Sequence, residues 1–123
     1  MKAYQFFSKQ SKNFANELPS GIINSIKSKL SSGKVNKVES EPDEDIHTVI
    51  FDGGVVGGAR INTDLRVTIE EDDEKFDGTY KVRVSFSYQG KTRSYDQNGV
   101  KSLTSSEIQS ALDTIISKVD KAL

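Results

Sequence analysis

Two stretches of the chain alternate apolar and polar residues with a period of two, which is the pattern of a half-buried β-strand. The apolar residues of the first stretch, residues 61–70, are Ile61, Leu65, Val67 and Ile69. Those of the second stretch, residues 79–88, are Tyr80, Val82, Val84, Phe86 and Tyr88. β-branched and aromatic side chains, which fit a pleated surface, dominate both stretches. The pattern therefore predicts two strands, each with one apolar face.

A tight turn at Gln89-Gly90 follows the second stretch and predicts a hairpin with a third strand. The register that a two-residue turn imposes pairs Tyr88 with Lys91, Phe86 with Arg93, Val84 with Tyr95 and Arg83 with Asp96. The last pair places opposite charges on neighbouring strands, which contributes from a few tenths to about 1 kcal/mol. A slip of one residue would move the tyrosine of the third strand to the polar side, so the pattern selects this register.

An earlier strand is predicted over Ile46 to Phe51, where apolar residues occur without clean alternation. Such a run is typical of a strand that is buried on both faces or that carries a bulge. The preceding run, Lys34 to Glu39, is compatible with the start of the sheet, although Val35 and Val38 have no regular phase. The sequence thus predicts a sheet of about four antiparallel strands.

Helical patterns lie before the strands. Residues 1–18 contain a sparse helical stripe that includes Phe7 and Phe14. This stripe predicts an amphipathic helix that either packs at the periphery, with the two phenylalanines as core anchors, or presents them to a partner. Ser20 starts a second helix and Gly33 supplies its C-terminal cap. The apolar residues of this second helix are Ile22, Ile23, Ile26 and Leu30.

The clearest local signals mark a helix at the C-terminal end of the chain. Thr104 and Glu107 have the spacing of a capping box, and Leu103 and Ile108 flank the cap as a hydrophobic staple. The apolar stripe of this helix consists of Ile108, Ala111, Leu112, Ile115, Val119 and Ala122. Such a stripe has to pack on an apolar surface, and the apolar face of the sheet is the obvious candidate.

The order of these elements predicts an α+β fold. We expect an antiparallel β-meander of about four strands, with two N-terminal helices and one long C-terminal helix packed on one face. A chain of 123 residues is large enough for one hydrophobic core and too small for two. We therefore expect one domain over residues 19–123, with residues 1–18 as a peripheral helix.

The composition excludes several classes of function. A net charge of −1 provides no field that would attract a polyanion, so no nucleic-acid partner is expected. The absence of cysteine excludes disulfides, thiol catalysis and cysteine-ligated metals. No stretch is long and apolar enough to insert into a membrane, and residues 1–16 lack the apolar core of a signal peptide. The sequence therefore predicts a small soluble domain in the cytoplasm.

No constellation of residues predicts catalysis, so we expect neither enzymatic activity nor a cofactor. His47 is the only histidine, and no serine or carboxylate pattern around it indicates a triad or a metal site. We expect it at a surface of the sheet. The acidic run of residues 70–78 is not a calcium loop, because Lys75 and Val84 stand where oxygen ligands are required. This run is typical of a solvated hairpin tip.

The most unusual local feature is a glycine-rich segment, which consists of Gly53, Gly54, Val55, Val56, Gly57 and Gly58. Glycine is entropically costly to order, so the segment does not serve stability. One interpretation is a flexible hairpin connection whose valines pack onto the core. The others are a mobile flap that contacts a partner and a nest of backbone amides for an anion.

Lys91 and Arg93 share the predicted apolar face with Phe86 and Tyr88. Their charged groups either reach water or lie over aromatic rings, or they mark the polar mouth of a pocket between sheet and helix. The ligand-binding residues in the pocket interpretation are Tyr80, Phe86, Tyr88, Lys91, Arg93 and Tyr95. The opposite face is either solvated or docks a protein, and its basic residues are Arg60, Arg66, Lys81 and Arg83.

These observations favour a non-catalytic protein-interaction domain, such as an adaptor, an inhibitor or a small oligomeric assembly protein. Its partner is another protein or a second copy of the chain, and its candidate partner-binding residues are Phe7, Phe14 and the segment Gly53 to Gly58. The alternative is a carrier or sensor of a small molecule or lipid. A long C-terminal helix over an antiparallel sheet is similar, in topology, to the helix-grip arrangement of small lipid-carrier domains, which implies this second function.

Overall fold

The computed structural model describes residues 18, 20–30, 34–41, 46–71 and 78–123. In chain order its elements are α1 (Ser20–Leu30), β1 (Val35–Glu41), β2 (Ile46–Phe51), β3 (Gly54–Val56), β4 (Ala59–Ile61), β5 (Leu65–Glu71), β6 (Tyr80–Tyr88), β7 (Lys91–Val100) and α2 (Ser105–Ala122). The chain has the predicted α+β class with an antiparallel sheet. The predicted helix over residues 1–18 (except Leu18, which is buried), the cap at Gly33 and the acidic segment 72–77 lie outside the described residues.

The main sheet is a meander with the strand order β1-β2-β5-β6-β7, and every pair in it is antiparallel. A separate hairpin, β3–β4, is inserted between β2 and β5. The described part of the main sheet has five strands, whereas the sequence predicts about four. The additional strand is β1, which forms from the poorly phased run after Lys34. The predicted strand over residues 61–70 is divided, because Ile61 ends β4 and Leu65 begins β5.

The β6–β7 hairpin has the predicted register. The pairs that define it are Tyr88–Lys91, Phe86–Arg93, Val84–Tyr95 and Arg83–Asp96. At the turn, Gln89 and Gly90 have φ angles of 53° and 79°. A type I′ turn requires positive φ at both central positions, and its twist matches the twist of the two strands. The turn itself therefore fixes the pairing.

The inner face of the main sheet is the side that carries Val49, Val67 and Val84, and it packs against the helices. The buried helical residues are Ile22, Ile26 and Leu30 in α1 and Ile108, Ala111, Leu112, Ile115 and Val119 in α2. They form one hydrophobic cluster with the inner face. Complete burial of one such large aliphatic side chain contributes about 1.5–3 kcal/mol. Ala122 is exposed, contrary to the predicted stripe, because the buried stripe ends one turn earlier.

The start of α2 is fixed by the predicted cap. The Thr104 hydroxyl accepts a hydrogen bond from the backbone N–H of Glu107 at 3.4 Å. The Glu107 carboxylate in turn accepts from the backbone N–H of Lys101, also at 3.4 Å, and not from that of Thr104. Leu103 and Ile108 both belong to or pack on the core, as a staple requires.

His47 lies on the inner face, and its predicted position at a surface of the sheet is wrong. The side chain is 1% exposed, and the register places it between Ser40 of β1 and Ile69 of β5. The imidazole Nδ1 lies 2.9 Å from the Ser40 hydroxyl. The reason for the error is strand β2, which is buried on both sides. Ile50 on the opposite side is only 5% exposed, so no alternation identifies the inner face.

The glycine-rich segment forms the β3–β4 hairpin. Val56 and Ala59 are buried in the core, which agrees with the interpretation that a valine of this segment packs there. At the tip, the backbone N–H of Gly58 donates a hydrogen bond to the Asp120 carboxylate of α2 at 2.9 Å. A side chain at Gly57 would overlap the same carboxylate. The tip is thereby joined to the last turns of α2.

Candidate binding surface on the outer face of the sheet

The outer face of the main sheet points away from the two helices. Strand alternation places these residues on it: Lys37, Glu39, Thr48, Ile50, Arg66, Thr68, Lys81, Arg83, Ser85, Ser87, Thr92, Ser94 and Asp96. Arg60, which the sequence assigns to this face, belongs instead to the β3–β4 hairpin, where it pairs with Val55. The outer face is therefore polar, and short hydroxyl side chains line its half formed by β6 and β7.

Most charges on the outer face are paired with an opposite charge. Arg83 binds Asp96 through two hydrogen bonds, of 2.8 and 3.1 Å. The hydrogen bond from Arg83 holds the pKa of Asp96 below its ordinary value, and Asp96 raises the pKa of Arg83. At the edge of the sheet, Lys37 lies 2.9 Å from Glu39 and, chiefly by its hydrogen bond, lowers the pKa of that carboxyl. The outer face consequently has no strong field of one sign.

A depression with a volume of about 420 Å³ lies on the outer face, where β5 begins. Its lining residues are Thr63, Asp64, Arg66, Ser85, Phe86, Ser87 and Thr92. The two residues that precede β5 form one wall, and the β6–β7 hairpin forms the other. The register places Arg66 directly opposite Ser85. The Arg66 guanidinium and the hydroxyls of the β6–β7 hairpin therefore line the same depression.

The polar groups of this depression make few hydrogen bonds within the protein. Arg66 Nη2 lies 4.0 Å from the Asp64 carboxylate, which is too far for a hydrogen bond. In the described part of the chain, neither the Arg66 guanidinium nor the hydroxyls of Ser85, Ser87 and Thr92 form a hydrogen bond. Elsewhere on the face such groups do bond, as the Thr48 and Thr68 hydroxyls do at 3.3 Å. The depression therefore offers guanidinium donors and several hydroxyls to an incoming molecule.

The predicted ligand-binding residues divide into a cluster and an outlier. On the inner face, Phe86 and Tyr95 stack with their ring centroids 6.1 Å apart. The Arg93 guanidinium lies 5.8 Å from the centroid of the Tyr88 ring, which is a cation–π contact. Arg93 Nε is buried without a hydrogen-bond partner among the described residues. Tyr80 does not join this cluster, since it lies at the other end of β6, about 27 Å from Tyr88 at 3.4 Å per residue.

A small pocket of about 230 Å³ lies beside this cluster. Its lining residues are Gly58, Ala59, Tyr88, Val119, Asp120 and Leu123, so Tyr88 is the one predicted ligand-binding residue that lines it. Ligand sites usually have volumes of about 300–1,000 Å³. The space between the sheet and α2 is thus sufficient for a small chemical group.

Those predicted partner-binding residues that the structure describes are separated from the outer face. Phe7 and Phe14 lie outside the described residues, and the segment Gly53 to Gly58 packs beside α2. The alternating pattern of the sequence places Arg66 on the polar face but gives no sign of the depression. Its two walls are about twenty residues apart in the chain, and no spacing rule brings Thr63 close to Ser87.

The described residues contain no group of three histidine or acidic side chains that could hold a metal ion. None of the described helices has the length and apolar character needed to cross a membrane. Comparison of the chain with protein-family models, with curated proteins and with solved structures found no match.

Proposed function

We propose that this chain is a non-catalytic protein-interaction domain and that the outer face of its sheet, centred on Arg66, binds the partner. The observation that carries the proposal is the depression, where a guanidinium and several hydroxyls make no hydrogen bonds to the described chain. Arginine is enriched at protein interfaces and among the residues that dominate binding energy.

The shape and polarity of the depression favour a protein over a small molecule. Small-molecule sites are concave and mostly apolar, whereas this depression is open and its lining residues, apart from Phe86, are hydroxyl-bearing residues, Asp64 and Arg66. A single-stranded nucleic acid would require aromatic stacking residues and an excess of basic charge. The outer face has a hydroxyl-rich surface instead, and its charges are mostly paired.

The Arg66 guanidinium, which has an ion-pair partner in Asp64 but no hydrogen bond, indicates which group of a partner enters the depression. A partner's carboxylate or backbone carbonyl could accept hydrogen bonds from Arg66, while Ser85 and Thr92 serve as donors or acceptors beside it. Because Asp64 lies next to the guanidinium, a group with several negative charges, such as a phosphate, would be repelled at that wall. We therefore expect a partner that inserts a single carboxylate or a carbonyl.

The test uses Arg66→Ala together with Lys121→Ala, a matched control at an exposed lysine of α2. Proteins that the wild-type chain retains from its native extract are identified, purified and titrated against the three chains. We expect Arg66→Ala to weaken binding by about 30-fold or more, which corresponds to a loss of about 2 kcal/mol, and Lys121→Ala to bind as wild type does. Equal affinity for Arg66→Ala and wild type would exclude the outer face as the binding surface.

A second candidate function is a carrier of a small molecule or lipid. The pocket beside Tyr88 and the buried, unpartnered Nε of Arg93 support it. A carrier purified from its native source would show extra mass under native conditions and release a small molecule on denaturation. Tyr88→Ala would then reduce the bound fraction and Lys101→Ala, at an exposed residue outside the pocket, would not. A wild-type chain with no extra mass in the native spectrum would contradict this function.

A further inference from the structure

The two edges of the main sheet differ in how they are protected. On β7, the Lys118 ammonium of α2 donates a hydrogen bond to the backbone carbonyl of Asp96 and lies 3.4 Å from the Gln97 side chain. A bulge between the pairs Tyr80–Val100 and Val82–Gln97 also interrupts this edge strand. Covered carbonyls and bulges are devices that prevent a sheet edge from pairing with another chain.

The β1 edge has no comparable cover in the part of the chain that the structure describes. One side of β1 pairs with β2, and no described strand pairs with its other side. A bulge lies at the start of β1, between Val35 and Lys37, and from Lys37 to Glu41 the register with β2 is continuous. This regular segment presents backbone donors and acceptors in the geometry of a strand that can receive another strand.

Val38 is an apolar side chain of the β1 edge that remains partly exposed to solvent. It lies on the inner face, because it pairs with Val49 of β2. Val49 is fully buried, whereas Val38 is 41% exposed. The core therefore extends to β2 and to Val35 at the start of β1, and it leaves Val38 open. An additional strand beside β1 would bury this valine.

We propose that β1 pairs in antiparallel orientation with β1 of a second copy, so that the two main sheets become one continuous sheet around a twofold axis at Val38. In antiparallel strands, directly opposite residues lie on the same face. A twofold axis perpendicular to the sheet keeps the helices of both copies on one side. Such an axis must lie midway between the two copies of one β1 residue, which then face each other, and this requirement restricts the pairing to a few registers.

The charges beside Val38 select one of these registers. With the axis at Val38, the two valines face each other, and Lys37 of each copy faces Glu39 of the other. With the axis at Lys37, two lysines would oppose each other, and with the axis at Glu39, two glutamates would do so. Directly opposite like charges destabilise a sheet, and opposite charges stabilise it. A surface that is complementary to itself in this way is what a twofold interface requires.

The size of the contact indicates a reversible dimer. The regular segment is short, and a strand pair of this length buries less than the roughly 1,200 Å² of a stable specific interface. We therefore expect monomer and dimer to exchange, with the dimer fraction rising with protein concentration. This inference concerns the edge of the sheet and does not depend on a partner at Arg66.

Charge reversal tests both the interface and its register. Sedimentation velocity over a range of protein concentrations should show dimers of the wild type and monomers of Lys37→Glu and of Glu39→Lys. The double variant Lys37→Glu/Glu39→Lys should dimerise again, because the two opposing pairs are restored with exchanged partners. An equimolar mixture of the two single variants should form a heterodimer for the same reason. Each single variant also removes the ion pair between Lys37 and Glu39 within one chain, but both side chains lie at the surface, where such a pair contributes little, so we expect these variants to retain the fold.

Lys91→Glu, at the exposed end of the β6–β7 hairpin, is the matched control and should dimerise as wild type does. A wild type that remains monomeric at every concentration would overturn the proposal. A dimer that persists in both single variants would also overturn it, because its interface could not include Lys37 opposite Glu39. Circular dichroism of each variant establishes that a loss of dimer is not a loss of fold.

Discussion

At the tip of the β3–β4 hairpin, two constraints coincide on Gly57. Its φ angle of 60° lies in the left-handed region, which costs a residue with a side chain about 1–2 kcal/mol. A Cβ at this position would also overlap the carboxylate of Asp120, which accepts the hydrogen bond from Gly58. Gly90 in the β6–β7 turn has a similar φ angle of 79° but open space around it. A substitution at Gly90 therefore introduces backbone strain alone, whereas the same substitution at Gly57 introduces backbone strain and a steric clash.

We expect Gly57→Ala to lower the free energy of unfolding more than Gly90→Ala does. Gly90→Ala should cost about 1–2 kcal/mol for backbone strain alone. Gly57→Ala should cost this amount and, in addition, the loss of the Asp120 contact, about 1 kcal/mol or more. Urea denaturation of both variants measures the difference. Equal losses would mean that the Asp120 side chain moves aside without cost, and the hairpin tip would then not depend on it.

His47 shows that the sequence does not reveal to which face of the sheet a single residue of β2 points. A histidine between Ile46 and Thr48 has the same neighbours whether it points to the core or to solvent. The inner face of β2 is determined by its pairing with β5, and β2 has buried residues on both faces, so periodicity does not identify it. The role of Thr104 as the N-cap, by contrast, was predictable, because its hydroxyl bonds the backbone N–H of Glu107 three positions later, although the Glu107 carboxylate bonds the backbone of Lys101 and not that of Thr104.

At the scale of single elements, the β6–β7 hairpin was predictable because its register is fixed by the turn at Gln89 and Gly90. The β3–β4 hairpin was not predicted with its pairing, since three-residue strands are too short to show an alternating pattern. Strand β1 had poor phase for a different reason, a bulge between Val35 and Lys37 that shifts one residue to the other face.

The Arg83–Asp96 pair of this hairpin makes stability depend on pH. The pKa of Asp96 is lowered in the folded protein, so the unfolded chain binds the proton more readily. The stabilisation is therefore complete above the pKa of an unfolded aspartate, about 3.9, and is lost as the pH falls through the lower folded value. Because both side chains are more than one third exposed, its size is a few tenths to about 1 kcal/mol.

We expect Asp96→Asn to be less stable than wild type at neutral pH by this amount, with the difference vanishing at acidic pH. Urea denaturation of both chains at a series of pH values measures it. In an Arg83→Met background, the same substitution should show a much smaller pH-dependent difference, because the hydrogen bond that contributes most to the lowered pKa is absent and only the charges of Lys81 and Lys118 remain. A difference between Asp96→Asn and wild type that is constant across the acidic range would contradict the assignment of the pair.

At the scale of the whole molecule, the α+β class followed from local patterns, whereas the candidate binding surface did not. Helix and strand patterns are contained in windows of a few residues, and their order restricts how the layers pack. The depression at Arg66 requires that the residues before β5 meet the β6–β7 hairpin. Which polar groups remain without a hydrogen bond there depends on the register of three strands together, and composition gives no sign of it.

The meander of the main sheet also has a consequence for the synthesis of the chain. Its strands lie side by side in the order in which a ribosome produces them, so each new strand can join the one before it. Helix α2, which covers much of the inner face, emerges after all seven described strands. The hydrogen bond between Gly58 and Asp120 can form only when the ribosome has added the 62 residues that separate them. A nascent chain that ends at β7 therefore exposes the apolar inner face of the sheet. We expect molecular chaperones to bind this face most readily between the synthesis of β7 and that of α2.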